Sequence, residues 1–480
     1  MSRLVVGPFN RVEGDLEVTL DIARGEVRAA YVNSPMYRGF EQILQGKDPL
    51  DALVLAPRIC GICSVSQSVA AASALADAMG LDMPTNGQLA TNLILANENV
   101  ADHFTHFYLF FMPDFARENY RERRWFPAVA RRFKALSGEA AAEAVAARAD
   151  FLRLMAYLGG KWPHTLSIQP GGSARGVDEA EKVRLYSLLR QFRRFLESKL
   201  FGTALEQVAA LDSEQALDGW RGTAAASDFG LFLEVADDLQ LSRYGRAGDR
   251  FMSYGNYPLA DGRLFQPGIW HGGPQELDVQ AIGEDLSHSW MGGAPAPLHP
   301  AEGVSLPQAD KESAYSWCKA PRLGGEVVET GALARQVVDG HPLLRELAGK
   351  SGGNVRNRVI ARLVEIARVQ IALENWALAL KPGEPFCHHR ALPQEARGVG
   401  LVEAARGSLG HWLHIYKGRI LNYQIIAPTT WNFSPRDAQG KPGALEQALA
   451  GTPIAEGESD PLLVQHIVRS FDPCMVCTVH

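Results

Sequence analysis

Arg58-Ile59-Cys60-Gly61-Ile62-Cys63 near one end of the chain and Asp472-Pro473-Cys474-Met475-Val476-Cys477 near the other decide how this sequence is read. Four of the six cysteines sit in these two Cys-x-x-Cys pairs. Each pair sets two sulfurs on one side of a single turn. Two such claws, brought together, make a four-sulfur cage, and soft thiolates suit nickel, iron or zinc. Other readings stand beside this one. A structural zinc knuckle uses two pairs, but these are usually roughly 15–20 residues apart, whereas nearly the whole chain separates the two here. A dithiol redox site needs only one pair. Structural disulfides are disfavoured, because so few cysteines in so long a chain fit a reducing compartment better.

Outward from the cysteines, the chain is ordinary. Its 480 residues are 46% hydrophobic and 21% charged, with a net charge of −6. That balance argues against nucleic acid or an anionic membrane as a partner. No apolar run is long enough to span a bilayer, and Met1 to Asn10 does not read as a secretory signal. A cytoplasmic location is expected. Leu16, Val18, Leu20 and Ile22 alternate, Arg24-Gly25-Glu26 turns, and Val27, Ala29 and Tyr31 start a return strand, a β-hairpin. Ser64 opens an alanine-rich helix closed by Gly80. Residues 87–111 carry a helical stripe from Leu89 through Leu93, Ala96, Val100, His103 and Phe107 to Phe110. Thr85 and Gln88 form a capping box before it, and Ser64 and Gln67 could form another. Helices are also expected over 136–158, 176–212 and 355–380. Asp460-Pro461 starts a last helix that Pro473 stops. Residues 244–310 read as loops with short strands. No repeat or linker divides the chain. The expectation is one domain over 1–480, mainly α with small β elements (α+β): a large helical body with an N-terminal hairpin.

The motifs around the cysteines resemble the large subunit of nickel-iron hydrogenases, and the resemblance covers the whole length. It rests on Arg11-Val12-Glu13-Gly14, Arg38-Gly39-Phe40-Glu41, the first cysteine pair, and Asp102-His103 with His106-Phe107-Tyr108. It continues through Gly159 to His164, Ser316 to Arg322, Gly331 to Arg335, Ala405-Arg406-Gly407 and Pro428 to Asn432, and ends with Asp472 to His480.

The resemblance implies that fold and a set of roles. All four cysteines would bind nickel, with Cys63 and Cys477 bridging to an iron that carries carbon monoxide and cyanide. Hydrogen would be split there into hydride and proton, the proton passing to Cys474 and then to Glu13. Arg406 would stand over the metals, oriented by Asp102. Pro428 and Thr429 would line the cyanide pocket. Glu41, the carbonyl of Ile425 and His480 would hold a second metal, magnesium in the family. Ile62 and Phe110 lie on the family's gas path. Taken singly, several of these residues have plainer readings: Glu13 a surface carboxylate, His103 a core histidine, Phe110 a packing residue, and Cys318 and Cys387 small buried apolar groups.

The resemblance further points to the hydrogen-sensing, regulatory branch. Catalytic members are made with a tail beyond the terminal histidine that a protease removes. This chain stops at His480, which is either a mature end or the gene-encoded one, and the latter is a trait of the sensing branch. Ile62 and Phe110 are bulkier than the family's usual residues, and Gln67 and Asp15 replace histidines. The implied partners are an iron–sulfur small subunit in an obligate heterodimer, a sensor histidine kinase, and a possible higher oligomer. Iron–sulfur clusters would belong to the small subunit only, since this chain has no cysteines for them. The basic stretch Arg117 to Lys134 is solvated surface or part of that interface. The alternative role is an energy-conserving uptake enzyme feeding a respiratory chain.

Overall fold

The computed structural model describes residues 2–480. The expected hairpin forms between β2 (Glu17–Ala23) and β3 (Glu26–Asn33). Arg24 and Gly25, with φ of 55° and 76°, make the two-residue turn whose twist suits paired strands. An edge strand missed in the sequence, β1 (Ser2–Val6), pairs with β2. A register shift at Asp21/Ile22 alters the expected alternation. Past it, Val27, Ala30 and Val32 are the buried residues of β3, and Ala29 and Tyr31 are not. A bulge of this kind moves later side chains to the other face.

Helix α1 (Ser64–Met79) follows the first cysteine pair and ends on left-handed Gly80, as the sequence indicates. Helix α2 (Thr85–Thr105) is the centre of the body. From Asn86 to Phe104 it is buried on almost every side, so its polar residues must find partners inside the protein. Neither expected capping box forms. Pro84 is the N-cap of α2 and makes no side-chain bond, leaving Thr85 in the first turn; Cys63 is the N-cap of α1. After Thr105 the helix widens into a π-turn, His106–Phe111. The wider turn rotates the stripe, so Phe111 is buried and Phe110 is partly exposed. Two further helices matter here, α3 (Val355–Ala379), capped by Asn354, and α4 (Leu462–Phe471). Pro461 is the N-cap of α4, so the helix starts one residue later than expected.

The largest element unseen in the sequence is an antiparallel sheet, β4 (Ala396–Ala404), β5 (Gly407–Tyr416) and β6 (Arg419–Ile426). It lies directly on α1. A Cβ added to Gly398 or Gly400 would sit 2.0 Å from the carbonyl oxygen of Ala74 or Ala70. Glycine on the strand and alanine on the helix are what let two backbones approach this closely. Helix accounts for 45% of the structure and strand for 18%, so helices dominate as expected. Among the described residues, no helix is long and apolar enough to cross a membrane.

Candidate metal centre

The two cysteine pairs meet. The sulfurs of Cys60, Cys63, Cys474 and Cys477 all lie within 4.8 Å of one another, and all four residues are buried. Cys60 faces Cys474 at 3.6 Å, Cys63 faces Cys477 at 3.0 Å, and Cys474 and Cys477 are 3.1 Å apart. Every cysteine is free, which removes the disulfide reading. Cys60 is the extended residue ending the 3₁₀ turn Ala56–Ile59, and Cys63 is the N-cap of α1. The N–H groups of Ile62 and Cys63 donate to Cys60 Sγ at 3.3 and 3.5 Å, a backbone nest that favours negative sulfur. Cys474 starts the short helix Met475–Thr478, and its own N–H donates to the Thr429 hydroxyl at 3.1 Å.

The electrostatics fit a cation. Hydrogen bonds from its neighbours hold the Cys60 thiol well below its ordinary range, while the same contacts and burial push Cys63 and Cys477 well above it. Burial raises Cys474 as well. Four sulfurs this close cannot all ionise unaided. Soft positive charge would hold them all as thiolates, which suits nickel and iron.

Glu13 is fastened to the second pair by backbone. Its N–H donates to the Pro473 carbonyl at 3.3 Å, and Met475 N–H donates to the Glu13 carbonyl at 2.7 Å, one bond on each side of Cys474. The Glu13 carboxyl is raised, first by burial and then by charge at Cys60, against the opposing charges of Arg406 and Arg38. It is therefore no plain surface carboxylate. Arg406 is buried and donates to Asp102 at 2.7 Å, to the Asp472 carbonyl at 3.0 Å and to the Asp472 carboxylate at 3.2 Å. Asp472, left-handed at φ 59°, ends α4 and leads into the second pair. His103 is a core histidine, its ring 3.1 Å from Glu365.

Several residues that organise this centre were given no role in it by the sequence. Arg38 donates to the Ile59 carbonyl at 2.5 Å and also to the Val476 carbonyl, so one guanidinium ties both cysteine loops together. Glu98, on α2, reaches the start of α1. Its carboxylate accepts from the N–H groups of Val65 and Ser66, both at 2.9 Å, and from Trp162 Nε1 at 3.0 Å. It thus caps, from another helix, the turn that follows Cys63. Burial raises the Glu98 carboxyl to about 7. Gln67 donates to Cys477 Sγ at 4.0 Å, and its carbonyl meets His411 at 2.8 Å. Burial holds His411 neutral, lowering it to about 3.

The expected second metal ligands also converge, with a difference. Glu41 Oε1 lies 3.2 Å from His480 Nε2, and it is the N–H of Ile425, at 2.9 Å, that meets this carboxylate. A buried ammonium shares the place: Lys319 Nζ lies 2.9 Å from Glu41 and 2.8 Å from Glu284. Although burial opposes it, Lys319 and His480 hold Glu41 down to about 2. Ile62 is partly buried against the main core, and Pro428 opens the short helix Pro428–Asn432 beside Thr429. Cys318 is buried as expected, but Cys387 is partly exposed.

Comparison with known proteins follows the same lines. The sequence pattern of the family described as nickel-dependent hydrogenase matches residues 38–117 and 140–480. The chain is 31% identical to the periplasmic [NiFeSe] hydrogenase large subunit of Desulfomicrobium baculatum, over 100% of this chain and 95% of that protein. It is 30% identical to the Hydrogenase-2 large chain of Escherichia coli, covering 100% of this chain and 97% of that one. The solved structure of the H2-activated Dm. baculatum [NiFeSe]-hydrogenase superposes with a TM-score of 0.85 at 28% identity, over 100% of both chains.

Proposed function

The chain belongs to the nickel-dependent hydrogenase family, and from that premise we propose that it splits dihydrogen heterolytically at a nickel–iron centre held by its four cysteines. The observation that carries this is the four-sulfur cluster, buried and assembled from both ends of the chain. Cys60, Cys63, Cys474 and Cys477 would hold nickel, with Cys63 and Cys477 shared with an iron bearing carbon monoxide and cyanide. When bound, such a pair supplies the electron-rich site at which dihydrogen is polarised and cleaved.

The chain's own residues do the rest. Cys474 Sγ takes the proton released on cleavage. Glu13, clamped on both sides of Cys474, receives it next; a carboxyl raised by burial is matched to that relay. Arg406, locked by Asp102 and Asp472, keeps a permanent positive charge beside the thiolates. Thr429 uses its oxygen for Cys474 N–H, and its O–H would be free to donate to a cyanide, with Pro428 as the apolar wall. Burial of all four sulfurs excludes water from the thiolates. Glu41 and His480 would hold the second metal, magnesium in the family although a histidine ligand is less typical of it, with Glu284 a second carboxylate against the single ammonium of Lys319. Electrons leave through an iron–sulfur small subunit.

Two roles use this chemistry. Hydrogen sensing, in the cytoplasm and in partnership with a histidine kinase, is supported by Gln67 on the Cys477 sulfur and by Ile62 between the first two ligands. Energy-conserving uptake is supported by the relatives named above. The heterodimer purified under hydrogen distinguishes them: sluggish turnover with a kinase attached favours sensing, and fast turnover coupled to a quinone or cytochrome favours uptake. For the shared reading, nickel and iron are measured together with hydrogen–deuterium exchange. Both metals and exchange are expected in the native complex, and nickel is lost in Cys474→Ser. Zinc in their place would overturn the reading.

A further inference from the structure

A file of buried groups runs from the cysteine cluster into the C-terminal sheet. Gln67 stands on the first turn of α1, His411 on β5 and Tyr423 on β6, and each is buried. Gln67 Nε2 lies 4.0 Å from Cys477 Sγ. Gln67 Oε1 lies 2.8 Å from His411 Nε2, and His411 Nδ1 lies 2.8 Å from the Tyr423 hydroxyl. The two rings meet edge to face, with centroids 5.5 Å apart.

Chemistry fixes the direction of every bond in this file. A thiolate accepts and cannot donate, so the amide must turn its N–H to the sulfur. Its carbonyl then accepts from His411 Nε2–H. A neutral imidazole protonated at Nε2 leaves Nδ1 as an acceptor, and the Tyr423 hydroxyl supplies the proton. Reversing any one bond reverses them all and would aim the amide oxygen at the thiolate. The tyrosine, which touches no ligand, donates its O–H to Nδ1 and so holds the imidazole in the Nε2–H tautomer that keeps the Gln67 carbonyl turned away from Cys477.

We propose that His411 and Tyr423 are positioning residues that lock the Gln67 amide with its N–H toward the Cys477 sulfur, and so reduce the electron density this thiolate gives to its metal. The inference rests on reading the four cysteines as a nickel–iron centre. A donor withdrawn from the sulfur makes the thiolate a stronger electron donor. Iron would then push more density into its carbon monoxide, and the carbonyl stretch would fall in frequency.

The test is infrared spectroscopy of the purified heterodimer, native and with Tyr423→Phe, Gln67→Leu and both together. Tyr423→Phe removes only the hydroxyl and keeps the ring contact. The carbonyl band is expected to move to lower frequency in each single variant. The double variant should show no shift beyond that of Gln67→Leu, because the tyrosine acts only through the amide. An unmoved band in Tyr423→Phe, or shifts that add in the double variant, overturns the inference while leaving the metal centre in place. If Tyr423→Phe fails to assemble, Gln67→Leu carries the test, and an unmoved band there overturns it equally. Absence of carbonyl and cyanide bands from the native complex overturns the reading of the site, and this inference with it.

Discussion

Glu98→Ala removes the cap that joins the central helix to the first cysteine pair. The carboxylate accepts two backbone N–H groups, Val65 and Ser66, and the Trp162 indole. Truncation orphans the two backbone donors in a buried place, at about 1–3 kcal/mol each, so a loss of roughly 2–6 kcal/mol is expected. The size must depend on pH. Burial raises the Glu98 carboxyl from 4.5 to about 7. In that interval the folded state binds more protons than the unfolded one, so this group's contribution falls as pH rises from the unfolded value through the folded one. Across pH 5 to pH 8 the fall amounts to about 2–3 kcal/mol. Glu98→Ala loses that dependence with the carboxyl. Its destabilisation should therefore be larger at pH 5 than at pH 8 by that amount. Urea unfolding of the heterodimer at both pH values, followed by fluorescence, measures it. A loss under about 1 kcal/mol, below the cost of even one orphaned donor, would refute the capping role. A loss equal at both pH values would refute the assignment of the raised carboxyl.

Three other perturbations follow from the same structure. Glu13→Gln should lower hydrogen–deuterium exchange by at least about 100-fold with nickel and iron unchanged, the scale of a lost general acid–base group; native exchange rates would sink the relay. Arg335→Ala strands Glu365 and Glu403, both buried and bonded to its guanidinium, and should cost about 3–5 kcal/mol in a denaturant titration. Gly400→Ala pushes a Cβ to 2.0 Å from the Ala70 carbonyl and should cost at least about 1–3 kcal/mol; a neutral result would mean the sheet can slide off α1.

What could be read from the sequence was what local pattern controls. The cysteine spacing, the helix from Ser64 to Gly80 and the long stripe after Thr85 all stand in the fold. The π-turn that swings Phe110 outward did not show, because it is a change of helical pitch and not of residue pattern. The sheet β4–β6 stayed hidden because Gly398, Gly400, Gly407 and Gly410 replace the apolar residues that would have alternated. Gly398, Gly400 and Gly407 are there for close contact with other elements, and Gly410 makes room for the Trp412 ring of its own strand. Arg38, Glu98 and His411 escaped for a related reason. Each acts on residues distant in the chain, and no spacing rule joins an arginine at 38 to a carbonyl at 476. The capping box at Ser64 was locally sound and lost to a tertiary competitor: the start of α1 is capped by Glu98 from α2, and the Ser64 hydroxyl lies near that same carboxylate at 3.4 Å. At Thr85 the box failed because Pro84 takes the N-cap.

On the reading proposed above, four thiolates from opposite ends of the chain hold a nickel–iron pair that reacts with hydrogen. An infrared spectrum of the purified heterodimer, taken first under argon and then under hydrogen, tests it most directly. Carbonyl and cyanide bands that shift when hydrogen is admitted are expected. A spectrum empty in that region, from protein whose four cysteines are loaded with zinc, would contradict the reading.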